Sequence, residues 1–356
     1  MDEELECSMN VFSTKFDRFL GFLLSSRGET FTDGISFLLE KALDHLKVAN
    51  NSFAVKDAYS VFQTATIKRF FSETLDVTTS SSVNLPILVF SISVLSELSS
   101  NQQRFQKSYS ESPEAFLYIQ KITSSELIEK TEVKSTLMHF FLSLSKSHEG
   151  REWIWSCGLL RFTTQCLEDP AVYIRKPAKE LTHTLLMSST DDQRKEIFER
   201  LLILMKKWTI VSKSQQNQND FLETYLIVLE SYIERNLVEN RTNYSGRELV
   251  SLGIEDLLMD LAQNSSNQKF LGQICSLMAG IYAKCAYESA TEISSWKSKT
   301  LEIIQLVVSK DLAQVTLNVV SKSLFFWSYI DHKEFQLNLI HIMVKSYSSF
   351  FFLISL

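Results

Sequence analysis

Apolar residues along this chain of 356 residues recur at helical spacing almost throughout, and nowhere alternate with period two over a convincing strand. Leu137, Phe140, Phe141 and Leu144 are typical. Their i, i+3, i+4, i+7 spacing puts four apolar side chains on one stripe of a helix, which must then be buried against a neighbour. The same reading predicts helices over residues 10–26, 33–50, 53–75, 84–100, 113–122, 126–147, 149–156, 159–168, 173–189, 191–212, 219–239, 247–263, 268–288, 292–309, 312–329 and 333–352. Start signals support several of them. Thr32 and Asp33 precede Ile35, Thr190 to Asp192 precede Ile197, and Asp220 precedes Phe221. In each case an oxygen stands where the first helical amides lack acceptors and the helix dipole is positive. Looser stretches fall at 76–83, 106–114, 213–219 and 240–246, the third being the most polar.

Connections this short make neighbouring helices antiparallel hairpins, and some sixteen of them in a row without a strand predict a stacked helical array, one domain over residues 1–356. Composition sharpens the picture. Hydrophobic residues make up 45% and charged residues 22%, while only nine glycines and four prolines punctuate the chain, too few for the tight turns of a sandwich, a barrel or a dinucleotide-binding fold. The net charge of -6 offers no overall attraction to nucleic acid or to an anionic membrane surface. Cys7, Cys157, Cys166, Cys275 and Cys285 are odd in number and scattered, which fits free thiols in the cytosol or nucleus. The acidic start, Met1 to Glu6, is unlike a secretory signal, so the Asn-x-Ser/Thr triplets at Asn50, Asn240, Asn243 and Asn264 are expected to stay unglycosylated. No apolar run reaches the roughly 18 to 20 residues of a membrane span. The nearest, Phe350 to Leu356, reads as a helix start without its packing partner, and the array is expected to lack its carboxyl-terminal repeats.

Two windows carry a family likeness. In the first, the helix ending Glu149-Gly150-Arg151-Glu152-Trp153-Ile154-Trp155-Ser156-Cys157 meets Gly158 and then the apolar pair Leu159-Leu160. This resembles the armadillo repeat, whose short first helix stops at a glycine before the second begins; Gly158 supplies the positive φ or close approach of that corner. Asp169, Pro170, Ile174, Arg175, Ala178, Leu181 and Leu185 then match the turn and second helix of the HEAT repeat, which implies a structural Arg175 near Asp169. Pro177 departs from the pattern, and is tolerable in a helix that starts near Tyr173 or Ile174. In the second window, Leu252-Gly253-Ile254 repeats the corner about two repeats of roughly 40 to 47 residues later. The resemblance implies an armadillo/HEAT α-solenoid, a right-handed superhelix of stacked hairpins that binds other proteins along one face. Residues 133–187 also resemble the amino-terminal half of the HEAT-repeat ATM-activator family, which implies a link to DNA-damage signalling or to the RNA-processing Integrator endonuclease.

The motifs of chemistry are missing. No glycines are spaced as a phosphate-binding loop, no Cys-x-x-Cys or His-Glu-x-x-His offers a metal site, and the six histidines stand beside no nucleophile motif. No catalytic, cofactor-binding or metal-ligating residue is assigned, and no small-molecule ligand is expected. Trp153, Trp155 and Phe162 read as core rather than as a base-stacking platform. The helix over 173–189 carries the one candidate for partner binding. With Ile174, Ala178, Leu181 and Leu185 inward, the helical wheel places Lys176, Lys179 and His183 outward, where they could meet an acidic or phosphorylated peptide. Lys206 and Lys207 beside Trp208 form another short basic spot. The expected function is a non-enzymatic protein-binding scaffold. A nucleic-acid-associated HEAT protein and a helical enzyme with a site assembled from distant residues are the alternatives.

Overall fold

A computed structural model describes residues 2–25, 33–52, 65–76, 84–210, 218–239, 245–264, 267–310, 312–330 and 332–354. Among these there are helices and no strands. By proximity the chain falls into two compact units, Met1–Leu181 and Thr182–Leu356.

The first unit holds α1 (Asp2–Ser25), α2 (Asp33–Ser52), α3 (Ala65–Thr74), α4 (Leu85–Leu98), α5 (Gln102–Glu111), α6 (Pro113–Ile122), α7 (Thr131–Leu144), α8 (His148–Ser156), α9 (Leu160–Gln165) and the start of α10 (Val172–Ser188). Helices that correspond from one repeat to the next lie side by side: α2 on α4, α4 on α7, and α5 on α8. Starts are pinned by side-chain caps. Asn84, Asn101 and Ser147 accept from the amides of Ile87, Arg104 and Gly150 at 3.3, 3.0 and 3.0 Å, giving partners to donors that an isolated helix leaves unpaired. Between the layers sits an aromatic core. Trp153 meets Phe116 at 5.5 Å, Phe140 at 6.3 Å and Phe141 at 6.3 Å, and Phe141 meets Phe162 at 6.0 Å. Trp153 is therefore core, as its helical spacing predicts; Trp155 and Phe162 are half-buried.

The second unit continues α10 and holds α11 (Asp191–Ile210), α12 (Gln218–Val238), α13 (Ser245–Ser251), α14 (Ile254–Asn264), α15 (Gln268–Glu288), α16 (Ile293–Ser309), α17 (Ala313–Trp327) and α18 (Lys333–Ile354). Its centre is α15, in which every residue from Ile274 to Ala286 is buried. A helix apolar on all sides needs neighbours on all sides, and α12, α13, α14, α16 and α17 supply them. At Gly280 there is no room for more: a methyl group there would stand 3.0 Å from Phe326 and 3.2 Å from Ile233.

Both units carry the same ruler. Several side-chain hydrogen bonds across the stack join residues 43 to 46 positions apart: Lys68 to Glu111 and Gln106 to Glu149 at 43, Lys299 to Glu255 at 44 and Lys269 to Glu223 at 46. That is the length of one armadillo-type repeat. The fold is accordingly all-α, with hairpins stacked in the armadillo manner.

The repeat corners lie where the sequence places them. Gly158 has φ +67° and Gly253 φ +81°. The Gly158 amide donates to the Trp155 carbonyl at 3.0 Å and the Leu159 amide to Ile154 at 3.2 Å, the paired bonds of a Schellman motif that satisfy the last carbonyls of α8. Gly253 likewise donates to Val250 at 2.9 Å, so the helix expected over 247–263 is two, α13 and α14.

Elsewhere the expectations need correction. The stretch 106–114, expected to be loose, is mostly α5, whose few inward residues (Arg104, Phe105, Ser108) leave a weak apolar signal. The helix expected over 126–147 opens with a short 3-10 turn, Glu126–Glu129, before α7. Pro177 stands well inside α10, which begins at Val172, so the ring removes the amide that would have met the Tyr173 carbonyl; Tyr173 is 57% exposed and water can serve that carbonyl. Of the helix expected over 53–75 only 65–75 lies within the described residues, helical over 65–74, and the triplets at Asn240 and Asn243 and the side chains of Phe350 to Leu356 lie outside them.

Because a side chain added at Gly158 meets nothing within 4 Å, its requirement is one of dihedral angle alone. Gly158→Ala is expected to cost about 1 kcal/mol in urea unfolding, and Gly158→Asn less. At Gly150, where an added Cβ would run into the Leu144 carbonyl oxygen, alanine is expected to cost more, about 1–3 kcal/mol, with asparagine giving no relief.

Candidate functional site

A groove of about 590 Å³ lies in the second unit over α12, α15 and α17. Its chemistry follows from helical spacing. On α12, Glu223, Glu230 and Glu234 recur at i, i+7 and i+11 and form one carboxylate stripe, while Leu222, Tyr225, Leu229 and Tyr232 turn inward. On α15 the groove is lined by Lys269, Gly272, Gln273 and Ser276, and on α17 by Asn318, Ser321, Lys322 and Phe325. Both sets read i, i+3, i+4, i+7 on helices that are otherwise core.

Charges in the groove are matched across the helices. Glu223 accepts from Lys269 at 2.7 Å and from Gln273 at 3.1 Å. Lys322 reaches Glu230 at 3.2 Å and Glu234 at 3.6 Å, and Gly272 and Ser276 of α15 line the same groove. Burial works to lower the pKa of Lys322, but the two carboxylates outweigh it and raise the value above normal. The carbonyl oxygen of the Gln273 side chain is buried and has no donor among the described residues.

A smaller recess of about 370 Å³ lies in the first unit, lined by residues including Gln120, Lys134, Cys157, Arg161 and Asp169. The Asp169 carboxylate caps the Ala171 amide at 2.9 Å and pairs with Lys134 of α7 at 2.9 Å. Arg175 stands beside Asp169 as the HEAT likeness implies, donating to the main-chain carbonyls of Asp169 and Pro170 at 2.8 and 3.0 Å. It ties down the turn rather than the acid.

The basic candidates on α10 separate. Lys176 is exposed and Lys179 half-buried, both on the portion of α10 in the first unit. His183, expected to point outward, is half-buried in the second unit, hydrogen-bonded to the Ser231 backbone, with its Nε2 buried and unpartnered. The wheel missed this because the next repeat covers a face that a lone helix leaves open. Burial, aided by Arg235, lowers its pKa below 6.5. Of the second basic spot, Lys206 and Lys207 are exposed.

Buried titratable groups converge elsewhere in the second unit. Arg194 of α11 is 1% exposed and engages Asp191, the Tyr232 hydroxyl at 3.5 Å and Glu248 at 3.4 Å. Lys284 and Glu288 of α15 pair at 3.8 Å, and Glu288 accepts from the amides of Gly246 and Arg247 at 3.1 and 3.2 Å, capping α13. Burial lowers the pKa of Lys284 and raises that of Glu288. Glu288 spends both oxygens on protein donors, so the cluster is built to hold helices together. The described thiols are inert as well: burial raises Cys157 and Cys285 and pushes Cys166 and Cys275 up to about 12, far from the thiolate form. Among the described residues no group of three or more His, Cys, Asp or Glu could hold a metal ion, and no helix is long and apolar enough to cross a membrane.

No family model and no curated protein matches the chain. Solved structures similar to it include a designed armadillo repeat protein, at 13% identity over 67% of this chain and 99% of that one with a TM-score of 0.38. A computationally designed armadillo repeat protein for modular peptide recognition is similar at 12% identity over 67% and 99% with 0.39. An engineered protein is similar at 14% identity over 93% and 81% with 0.43.

Two stability measurements test these assignments. Glu288→Ala removes the carboxylate that pairs with the buried Lys284 and accepts from two helix-start amides, and is expected to cost about 3–5 kcal/mol in urea unfolding, against much less for Glu288→Gln. His183 is held neutral in the fold while it protonates freely once unfolded. The unfolded state therefore binds more protons below pH 6.5, and stability falls as the pH drops through that value. His183→Gln is expected to lose less stability than the parent between pH 7.5 and pH 5.5.

Proposed function

We propose that this chain is a non-enzymatic scaffold that docks other proteins on the polar groove of α12, α15 and α17. One observation carries the reading: three long helices that are otherwise core, α12, α15 and α17, bring carboxylates, amides and lysines together along a single groove, beside Gly272, Val315 and Phe325. A helix gains nothing for its own packing from such a stripe. An extended surface of paired charges and amides suits a polypeptide, which offers main-chain donors and acceptors at regular intervals. It suits a small molecule less well, since pockets for small molecules enclose most of the ligand and this groove is open. In an enzyme, convergent titratable groups would line the cavity; here the convergent groups cap and pair helices instead.

Two finer assignments belong to the same proposal. The likeness of 133–187 to the HEAT-repeat ATM activators nominates DNA-damage signalling or Integrator-linked RNA processing as the setting in which partners are to be sought. The free, buried thiols favour the cytosol or nucleus as the compartment.

The test is affinity purification of the chain from cells followed by mass spectrometry, beside Asn318→Trp, which fills the groove from an exposed position, and beside the double charge reversal Lys176→Glu with Lys179→Glu. A reproducible protein partner retained by the parent and lost by Asn318→Trp is the expected result. Loss on the lysine reversal alone would move docking to α10. Failure to recover any protein, together with salt-sensitive RNA or DNA binding, would replace the scaffold reading by the nucleic-acid one.

A further inference from the structure

Helix α18 carries apolar residues on two sides. It packs mainly on α17, where Phe335 meets Trp327 at 4.6 Å and Leu339 is fully buried. Leu337, Ile340 and Val344 are instead 64%, 38% and 54% exposed. At 3.6 residues per turn these three lie within about 60° of one another and opposite Phe335 and Leu339, so they form a single outward stripe. Along one flank of the stripe stand Glu334, His341 and Lys345, all exposed. Glu334 and Lys345 are about three turns apart and therefore on the same side of the helix. An apolar stripe flanked by an acid near one end and a base near the other is complementary to its own antiparallel copy.

We propose that the chain associates with a second copy of itself through the outward stripe of α18, the two helices antiparallel about a twofold axis beside Ile340. Glu334 lies six residues before Ile340 and Lys345 five after it, about 9 and 8 Å along the helix axis. The twofold axis carries Glu334 of each copy to the level of Lys345 of the other, on the same side of the pair. It does so twice, because the contact is isologous. By the same symmetry Leu337 of each copy comes level with Val344 of the other, and Ile340 with Ile340, so the apolar residues close over one another between the charges. A parallel pair would set Glu334 beside Glu334 and Lys345 beside Lys345. An unrelated apolar helix would cover the stripe but leave this matching of charges unused. Three aliphatic side chains on one helix cover less than the roughly 800 Å² per partner of a stable complex, which sets the association in the micromolar range. None of the residues lining the groove of α12, α15 and α17 belongs to α18, so self-association and docking in the groove are separate properties.

The experiment is sedimentation velocity on the full chain from about 1 to about 200 μM, the span in which an interface of this size associates. The parent is expected to pass from the mass of one chain to that of two. Ile340→Asp sets two carboxylates beside the axis in place of two apolar side chains, and is expected to weaken association roughly tenfold or more. Glu334→Lys brings like charges together on both sides of the axis and is expected to weaken it roughly fivefold. Adding Lys345→Glu to that variant is expected to recover the parent value, because the exchanged charges again meet with opposite sign. All three substituted positions are exposed, and circular dichroism melts verify the fold of each variant. A parent that stays a single chain throughout, association indifferent to Ile340→Asp, or a charge exchange that fails to recover what Glu334→Lys loses would each overturn the proposal. In the first case the stripe is left to a different protein.

Discussion

The second unit is organised around one constraint: α15 has no face that water can wet for more than a dozen consecutive residues, from Ile274 to Ala286. Such a helix cannot be completed by a single partner hairpin. It forces α12 and α17 against two of its sides and the pair α13 and α14 against another, and sets their closeness through Gly280, where Phe326 and Ile233 leave no space for a methyl group. The groove is a consequence of that crowding. Its floor is the stretch of α15 from Gly272 and Gln273 to the buried Ser276, where the enclosed run begins.

Burial on this scale raises a problem of its own, and the way it is met shows how polar groups serve the stack. Lys284 is fully buried in the middle of the enclosed helix. An unpaired ammonium there would be strongly destabilising, and Glu288 one turn later provides the counter-charge. The same carboxylate closes the first amides of α13, so one side chain answers both a desolvated charge and an unfinished helix end. Asp169 does a similar double duty in the first unit, capping Ala171 while pairing with Lys134 on α7. Both acids bind one element of a repeat to an element some distance along the chain, which is how a stack built mainly from local hairpins gains cohesion between repeats.

The groove differs from those clusters in where its polar groups point. Glu288 and Asp169 are consumed by structural donors, whereas Glu230, Glu234 and Lys322 meet at a surface accessible to a second chain. That contrast, rather than any likeness to other proteins, separates the part of the polar inventory that holds the fold from the part available for recognition.

Much of this was legible in the order of residues. Apolar periodicity located most helices, because an amphipathic stripe is a local property, and Gly158 and Gly253 announced their corners, because a positive φ is demanded by the chain at that point and by nothing distant. α5 was hidden for the same reason: with only Phe105 and Tyr109 as large apolar residues, its stability comes from the Asn101 cap and from contact with α8. Pairing across the stack was out of reach. That the Asp169 carboxylate meets Lys134, that His183 is covered, and that Lys322 reaches Glu230 all depend on which helices lie side by side and in what register. A single helix exposes a full circle of side chains; only its neighbours decide which of them become core, which become struts, and which remain available to a partner.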